Sequence, residues 1–342
     1  MNMVSQNKMI GNFVLYGLVN VFSGFNKTII VAEFVLCILL SFATVWRYVL
    51  AKNQIHRLDN GVNGYWKSVL WALSLIFIFA IPIPLLLHQP HNFYLGSFTP
   101  NVWHNSTTIF LFPFAILLFH LSCKQLYEFN VKNNFWIVLL VSLNIFIKPS
   151  YFFVWVYVYP LFLLYSYRFN KTFWKSMIPV AIGVALLAIE YIIIYRTQSV
   201  YKENSSVEIS PFLVYKGFYN HLEELPLVLF FSLLFPNLYV LFNFKTSIKD
   251  KKLLFALCSI VVAIIIFLLL SETGGRQSHG NFYWQIIICS WLYFYVALTK
   301  MIQNKSTVYN KYKNNTLYIV YFLHVLAGII YLIRFLFFNT YF

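Results

Sequence analysis

Charge is what this chain has least of. Of its 342 residues only 10% are Asp, Glu, Lys or Arg, and just ten of them are acidic. A soluble domain carries about a quarter charged residues. With 60% apolar residues, 21% aromatics and a mean hydropathy of +0.70, too few polar side chains remain to cover a water-exposed globule. A soluble enzyme, a disordered chain and a disulfide scaffold are all excluded. Cysteine is also scarce: Cys37, Cys123, Cys258 and Cys289 all fall inside or at the ends of apolar stretches and read as buried thiols. Glycine-rich phosphate loops, nucleotide-binding fingerprints and paired-cysteine metal motifs are missing, which argues against an ATP-driven pump and against cytoplasmic use of a sugar nucleotide.

What is present is a series of long apolar runs. A bilayer core of about 30 Å needs roughly 20 apolar residues as helix. Candidate spans are 28–50, 67–87, 103–123, 174–195, 226–243, 252–270, 280–300 and 316–338. Two shorter pieces, 135–147 and 150–167, flank Lys148-Pro149-Ser150, and 11–25 reads as a retained helix rather than a cleaved signal. The expected fold is an all-α, polytopic transmembrane bundle of about eleven spans, forming one integral-membrane domain over residues 1–342. Prolines 82, 84, 113, 160, 179 and 236 predict kinked or broken helices around cavities.

The formal charge of +15 is explained by sidedness. The N-terminus and the loops near 47–67, 124–134, 168–175, 245–252 and 300–313 hold 18 of the 25 Lys and Arg residues and only three acids. The opposite set is neutral, with seven residues of each sign. Positive charge kept in the cytoplasm accounts for the whole excess, and no nucleic-acid partner is needed. The expected location is a cell (inner or plasma) membrane, crossed many times, with basic loops in the cytosol.

The chemically unusual residues gather on the other side. His88-Gln89-Pro90-His91 leads to Pro100-Asn101-Val102-Trp103-His104-Asn105 without one charged residue among them. It reads either as an interfacial loop or as a sugar platform, with aromatics for ring faces and His and Asn for hydroxyls. His88 and His91 lack a third metal ligand. Ser271-Glu272-Thr273-Gly274-Gly275-Arg276-Gln277-Ser278-His279-Gly280-Asn281 is a tight loop that brings a carboxylate, a guanidinium and an imidazole together. Either Glu272 or His279 takes the proton of an attacking hydroxyl while Arg276 clamps a diphosphate, or Glu272 and Arg276 merely pair across a turn. Glu33, Lys148 and Glu190 lie in or at the edges of helices on this side. A charge at mid-bilayer costs about 2.5–3.5 kcal/mol on insertion scales, so Lys148 is expected either to pair with Glu33 or Glu190 beside the site or to snorkel to the headgroups.

The charge-poor Trp103-His104-Asn105 loop, the Lys148-Pro149-Ser150 break and the Glu272-Gly-Gly-Arg276-x-x-His279 segment resemble bacterial multispanning surface-polysaccharide polymerases and GT-C-like glycosyltransferases. The resemblance implies a polyprenyl-phosphate-linked sugar donor, a glycan acceptor and transfer on the extracytoplasmic face; neighbouring polysaccharide-export proteins are expected partners, and the sequence points to no cofactor or metal. In GT-C enzymes a carboxylate commonly stands in the first external loop; here 88–102 has none and Glu33 is the nearest match. External arginines of the polymerase class would correspond to Arg276 and Arg196. The expected site is therefore Glu272, His279 and Glu33 for chemistry, with Arg276, Trp103, His104, Asn105, Lys148, Arg196 and Glu190 for binding. The alternative is a transporter or flippase of a lipid-linked saccharide or small solute.

Overall fold

The computed structural model describes residues 13–24, 29–58, 64–82, 97–195, 206–218, 221–274, 280–304 and 311–338. The chain is nearly all helix. Its helices are α1 (Phe13–Phe22), α2 (Ile29–His56), α3 (Gly64–Phe77), α4 (Ser106–Tyr127), α5 (Val131–Ile147), α6 (Ser150–Tyr167), α7 (Lys171–Ser176) and α8 (Ile178–Tyr195). They continue with α9 (Leu213–Phe218), α10 (Leu225–Ser232), α11 (Leu234–Phe242), α12 (Phe244–Ser247), α13 (Lys251–Leu269), α14 (Trp284–Gln303) and α15 (Lys311–Phe338). Two short strands, β1 (Val207–Ile209) and β2 (Leu270–Glu272), pair antiparallel with Val207 opposite Glu272.

Among the described residues seven helical stretches are long and apolar enough to cross a membrane, or eight if a bent pair counts as one. Their outer faces are apolar as well: Phe34, Ile38 and Phe42 of α2 and Ile319, Phe322 and Leu326 of α15 are all exposed. Such surfaces suit lipid and not water, so the chain reads as a multi-pass membrane protein. Three of the eleven expected spans come out short. Helices α1, α3 and α5 have 10, 14 and 17 residues, or about 15, 21 and 26 Å at 1.5 Å per residue. In the expected run 67–87 helix α3 ends at Phe77, and 83–87 lie outside the described residues; 226–243 is broken at Leu233, where the two arms meet at 68°. Cys123 and Cys289 are buried as expected, but Cys258 is half-buried and Cys37 is exposed on the lipid-suited face of α2.

By internal contacts the chain forms two compact units. The first comprises 1–47, 103–209 and 270–285. Here α4, α5 and α6 form an up-down-up set of equal depth. At one end Asn105 and Lys148 meet; at the other the Tyr167 hydroxyl donates to the Gln125 carbonyl and the Asn134 amide donates to the Lys175 carbonyl at 3.0 Å. Both halves of 131–167 therefore run the full length of α4, and the basic segments 124–134 and 168–175 share one end. Asparagines start α4, α5 and α7: Asn105, Asn130 and Asn170 each accept first-turn amides, as N-caps do. The reversal between α5 and α6 has a local cause. A residue before proline is pushed out of the helical region, and Lys148 is extended at φ −172°, ψ 119°. Helix α8 lies so close that a methyl on Gly183 would sit 2.4 Å from the Phe152 ring.

The second unit comprises 48–102, 210–269 and 286–342, and it is stitched at broken helix ends. The last carbonyls of α3 lack intrahelical donors. Asn101 Nδ2 supplies Ile78 O at 2.7 Å and Leu75 O at 3.3 Å, and Trp291 Nε1 supplies Leu75 O at 3.1 Å. His324 bridges two breaks: Nδ1 donates to Phe79 O at 2.6 Å while Nε2 accepts the Phe235 amide at 3.3 Å, at the restart of the chain in α11. Phe79 N–H returns a bond to the His324 carbonyl at 3.0 Å. Residues 97–102, expected in a loop at the surface, are buried, and Phe98 N–H is capped by Ser232 Oγ at 3.1 Å.

Close approach of α15 to the end of α3 depends on one missing side chain. A Cβ on Gly328 would lie 1.5 Å from Phe77 O, whereas one on Gly17 of α1 meets nothing within 4 Å. Gly328→Ala is expected to cost at least about 2 kcal/mol through forced displacement of backbone. Gly17→Ala is expected to be neutral or to stabilise by up to about 1 kcal/mol. Melting temperatures of the two purified variants against the parent chain check both.

Candidate functional site

The end of the first unit opposite its basic segments collects residues from three distant stretches. Pro149 holds Lys148 extended, and the side chain reaches the first turn of α4. There Nζ donates to Asn105 Oδ1 at 3.1 Å and to Thr108 Oγ1 at 3.1 Å, and lies 4.4 Å from the centre of the Trp284 ring. Asn105 Oδ1 simultaneously accepts Thr108 N–H and the Thr107 hydroxyl, each at 3.0 Å. One oxygen thus caps the helix and anchors the lysine. His104, just before the cap and exposed, stands 6.2 Å edge-on from Trp284.

The third stretch enters through β2. Glu272 ends this strand, is 5% exposed and accepts a hydrogen bond from Asn281 Nδ2. The pairing of β1 with β2 continues in Thr273, whose amide donates to Ser206 O at 2.9 Å and whose Oγ1 accepts the Ser206 amide at 3.1 Å. Gly274 at φ +69° and Gly280 at φ +58° take left-handed conformations, and Gly275 lies outside the described residues. Phe282 packs 5.9 Å from Phe153 near the start of α6, which brings this segment and Trp284 to the Lys148 turn.

Of the expected site residues, Asn105, Lys148 and His104 are drawn into one cluster. Trp103 is half-buried directly before it, and Glu272 lies on the strand that leads into it. Neither carboxylate proposed as partner of Lys148 reaches it. Glu33 is exposed on α2 and Glu190 is buried in α8, while the ammonium is held by two neutral oxygens and an aromatic face. The reason lies in the chain reversal at Pro149, which turns Lys148 toward α4. Nor does it snorkel, since it is only 8% exposed. Arg196, Arg276, His279, His88 and His91 lie outside the described residues. Among the described residues no group of three His, Cys, Asp or Glu is placed to hold a metal ion.

Sequence reasoning missed Trp284, Thr108 and Asn281. Asn281 was legible as part of the glycine-bounded loop. Trp284 and Thr108 carry no local signal, because each begins an ordinary apolar helix.

Hydrogen bonds to a charged donor contribute about 1.5–3 kcal/mol each and a desolvated cation–π contact about 2. The effective cost of burying an ammonium is several kcal/mol. With no carboxylate against it, burial pushes the Lys148 ammonium well below the usual lysine range. Partial burial, and then the Lys148 charge, hold the His104 imidazole below its ordinary value. Compared with protein-family models, curated proteins and solved structures, the chain matches none. Its function is read from this chemistry.

Because the folded state lowers the His104 pKa from 6.5, the unfolded chain binds this proton more readily. The stability contributed is fully present above about pH 6.5 and declines as pH falls below it. Melting temperature followed from pH 7.5 to 5 is expected to fall less steeply in His104→Gln than in the parent chain.

Proposed function

We propose that the protein is an integral-membrane glycosyltransferase or polysaccharide polymerase. It acts on polyprenyl-phosphate-linked saccharides at the extracytoplasmic face, in the synthesis of a cell-surface polysaccharide. The observation that carries this reading is the convergence, at one end of the first unit, of a buried carboxylate strand, a buried lysine without a carboxylate partner, and aromatic and amide side chains. That set offers a proton acceptor, an anion anchor and surfaces for sugar rings together, at the end away from the basic segments. The basic segments face the cytosol in this proposal, in keeping with the positive-inside rule. The short helices α1, α3 and α5 complete eleven crossings.

In the proposed reaction the acceptor hydroxyl oxygen attacks the anomeric carbon of the donor sugar. The bond from that carbon to the phosphate oxygen breaks, and the polyprenyl diphosphate leaves with the electron pair. Glu272 takes the hydroxyl proton, with His279 as the other candidate base. Asn281 orients the Glu272 carboxylate, Trp103, His104 and Asn105 border the sugar, and Arg276 and Arg196 are the further cations for the diphosphate. Other polysaccharide-export proteins are the expected neighbours.

A second reading, a flippase or transporter without bond chemistry, draws on the broken helices of the second unit: the 68° bend at Leu233 and the interrupted end of α3. Discontinuous spans are a feature of transporters.

Reconstituted full-length protein given a polyprenyl-diphosphate oligosaccharide is expected to yield longer lipid-linked glycans on a gel. Glu272→Gln should lower that rate by at least about a hundredfold, and His104→Ala should weaken it with a raised KM. Full activity in both variants would remove the site assignment, and leaflet exchange without any covalent product would favour the flippase.

A further inference from the structure

Lys148 is more than nine-tenths buried, and everything it touches is neutral: the amide of Asn105, the hydroxyl of Thr108 and the indole of Trp284. A lysine buried for structural reasons alone is ordinarily paired with a carboxylate. The same unit contains Glu33 and Glu190, and Lys148 is bonded to neither. The helix cap itself offers the nearest opportunity. Aspartate caps as well as asparagine, and at 105 it would neutralise the ammonium at 3.1 Å; the chain has asparagine there instead. Two of the three ammonium protons are committed to oxygens, leaving one donor. The first turn of α4 adds its own partial positive charge at the same point. His104, exposed beside Trp284, gives the cluster an open side.

We propose that Lys148, Asn105, Thr108, His104 and Trp284 form an oxyanion site that takes the phosphate of a lipid-linked ligand, with Lys148 as its counter-ion. The inference rests on the transferase reading only for the identity of the lipid that carries the phosphate. It assigns the anchoring of that phosphate to a buried lysine, beyond the arginines that sequence alone points to. The indole supplies an apolar wall against which a prenyl stem or sugar face packs while the ammonium meets the oxyanion.

The test uses the full chain in a maltoside detergent that carries no phosphate, and measures the melting temperature during titration with three probes: polyprenyl diphosphate, inorganic pyrophosphate and phosphatidylglycerol. Wild type and Lys148→Arg are expected to be stabilised by both diphosphates, the lipid-linked one at lower concentration. Lys148→Met and Asn105→Asp are expected to need at least about tenfold more of either. Asn105→Asp keeps the cap and supplies an internal counter-ion, so it should also melt higher than wild type without ligand. It keeps the proposal falsifiable if Lys148→Met does not fold. Equal responses of wild type and Asn105→Asp to the diphosphates would overturn the site. Phosphatidylglycerol matching polyprenyl diphosphate would assign the phosphate to an ordinary membrane lipid and overturn the ligand class. Binding lost in Asn105→Asp from a wild type that makes no glycan would leave the site standing and remove the transferase.

Discussion

Interrupted helices in apolar surroundings impose one demand: each backbone N–H and C=O released at a break must find a partner within the protein, at several kcal/mol for each one that does not. Much of the architecture answers that demand. Asn101 and Trp291 close the end of α3, His324 joins the carbonyl after that end to the amide where α11 begins, and Ser232 receives the Phe98 amide. His324 does this with both ring nitrogens, so its tautomer is set by its neighbours: the proton is on Nδ1 because Nε2 must accept. These side chains are structural, and they explain why an apolar chain retains polar residues outside the candidate site.

The first unit meets the same demand differently. Its helices are mostly whole, those of α4, α5 and α7 started by asparagines, and α5 reverses sharply into α6 at Pro149. Proline there does two things at once. It ends α5, and through the extended backbone of the preceding residue it sends a lysine to the first turn of α4. A break needed for topology thereby delivers a charge into a protected position, and the functional proposal follows from that delivery.

Much of this was legible in the sequence, and the failures have physical causes. The break at Lys148-Pro149-Ser150 was readable because proline restricts its neighbour locally. The glycines that follow Glu272 signalled a sharp loop for the same kind of reason. The apolar runs marked the helices but not their ends. The run 67–87 stays apolar past Phe77, while the helix stops where Asn101 and His324, distant in sequence, take over its backbone bonds. The strand pair Val207–Ile209 with Leu270–Glu272 was invisible because three residues per strand give too little alternation and the partners lie more than sixty residues apart. The partners of Lys148 were misjudged because sequence shows which charges exist, not which way a reversal points them.

Gly328 has a consequence for α15 and α3 as a pair. Successive residues of an α-helix are offset by about 100°, so turning α15 by one position would present Ala327 or Ile329 to the Phe77 carbonyl in place of the bare glycine. Neither fits where a single added carbon would already overlap the oxygen. Helix α15 therefore has one admissible azimuth against α3, and any sliding or rolling of the two past each other is blocked at that point. Whatever movement the protein makes in its working cycle must carry α3 and α15 together as one rigid body.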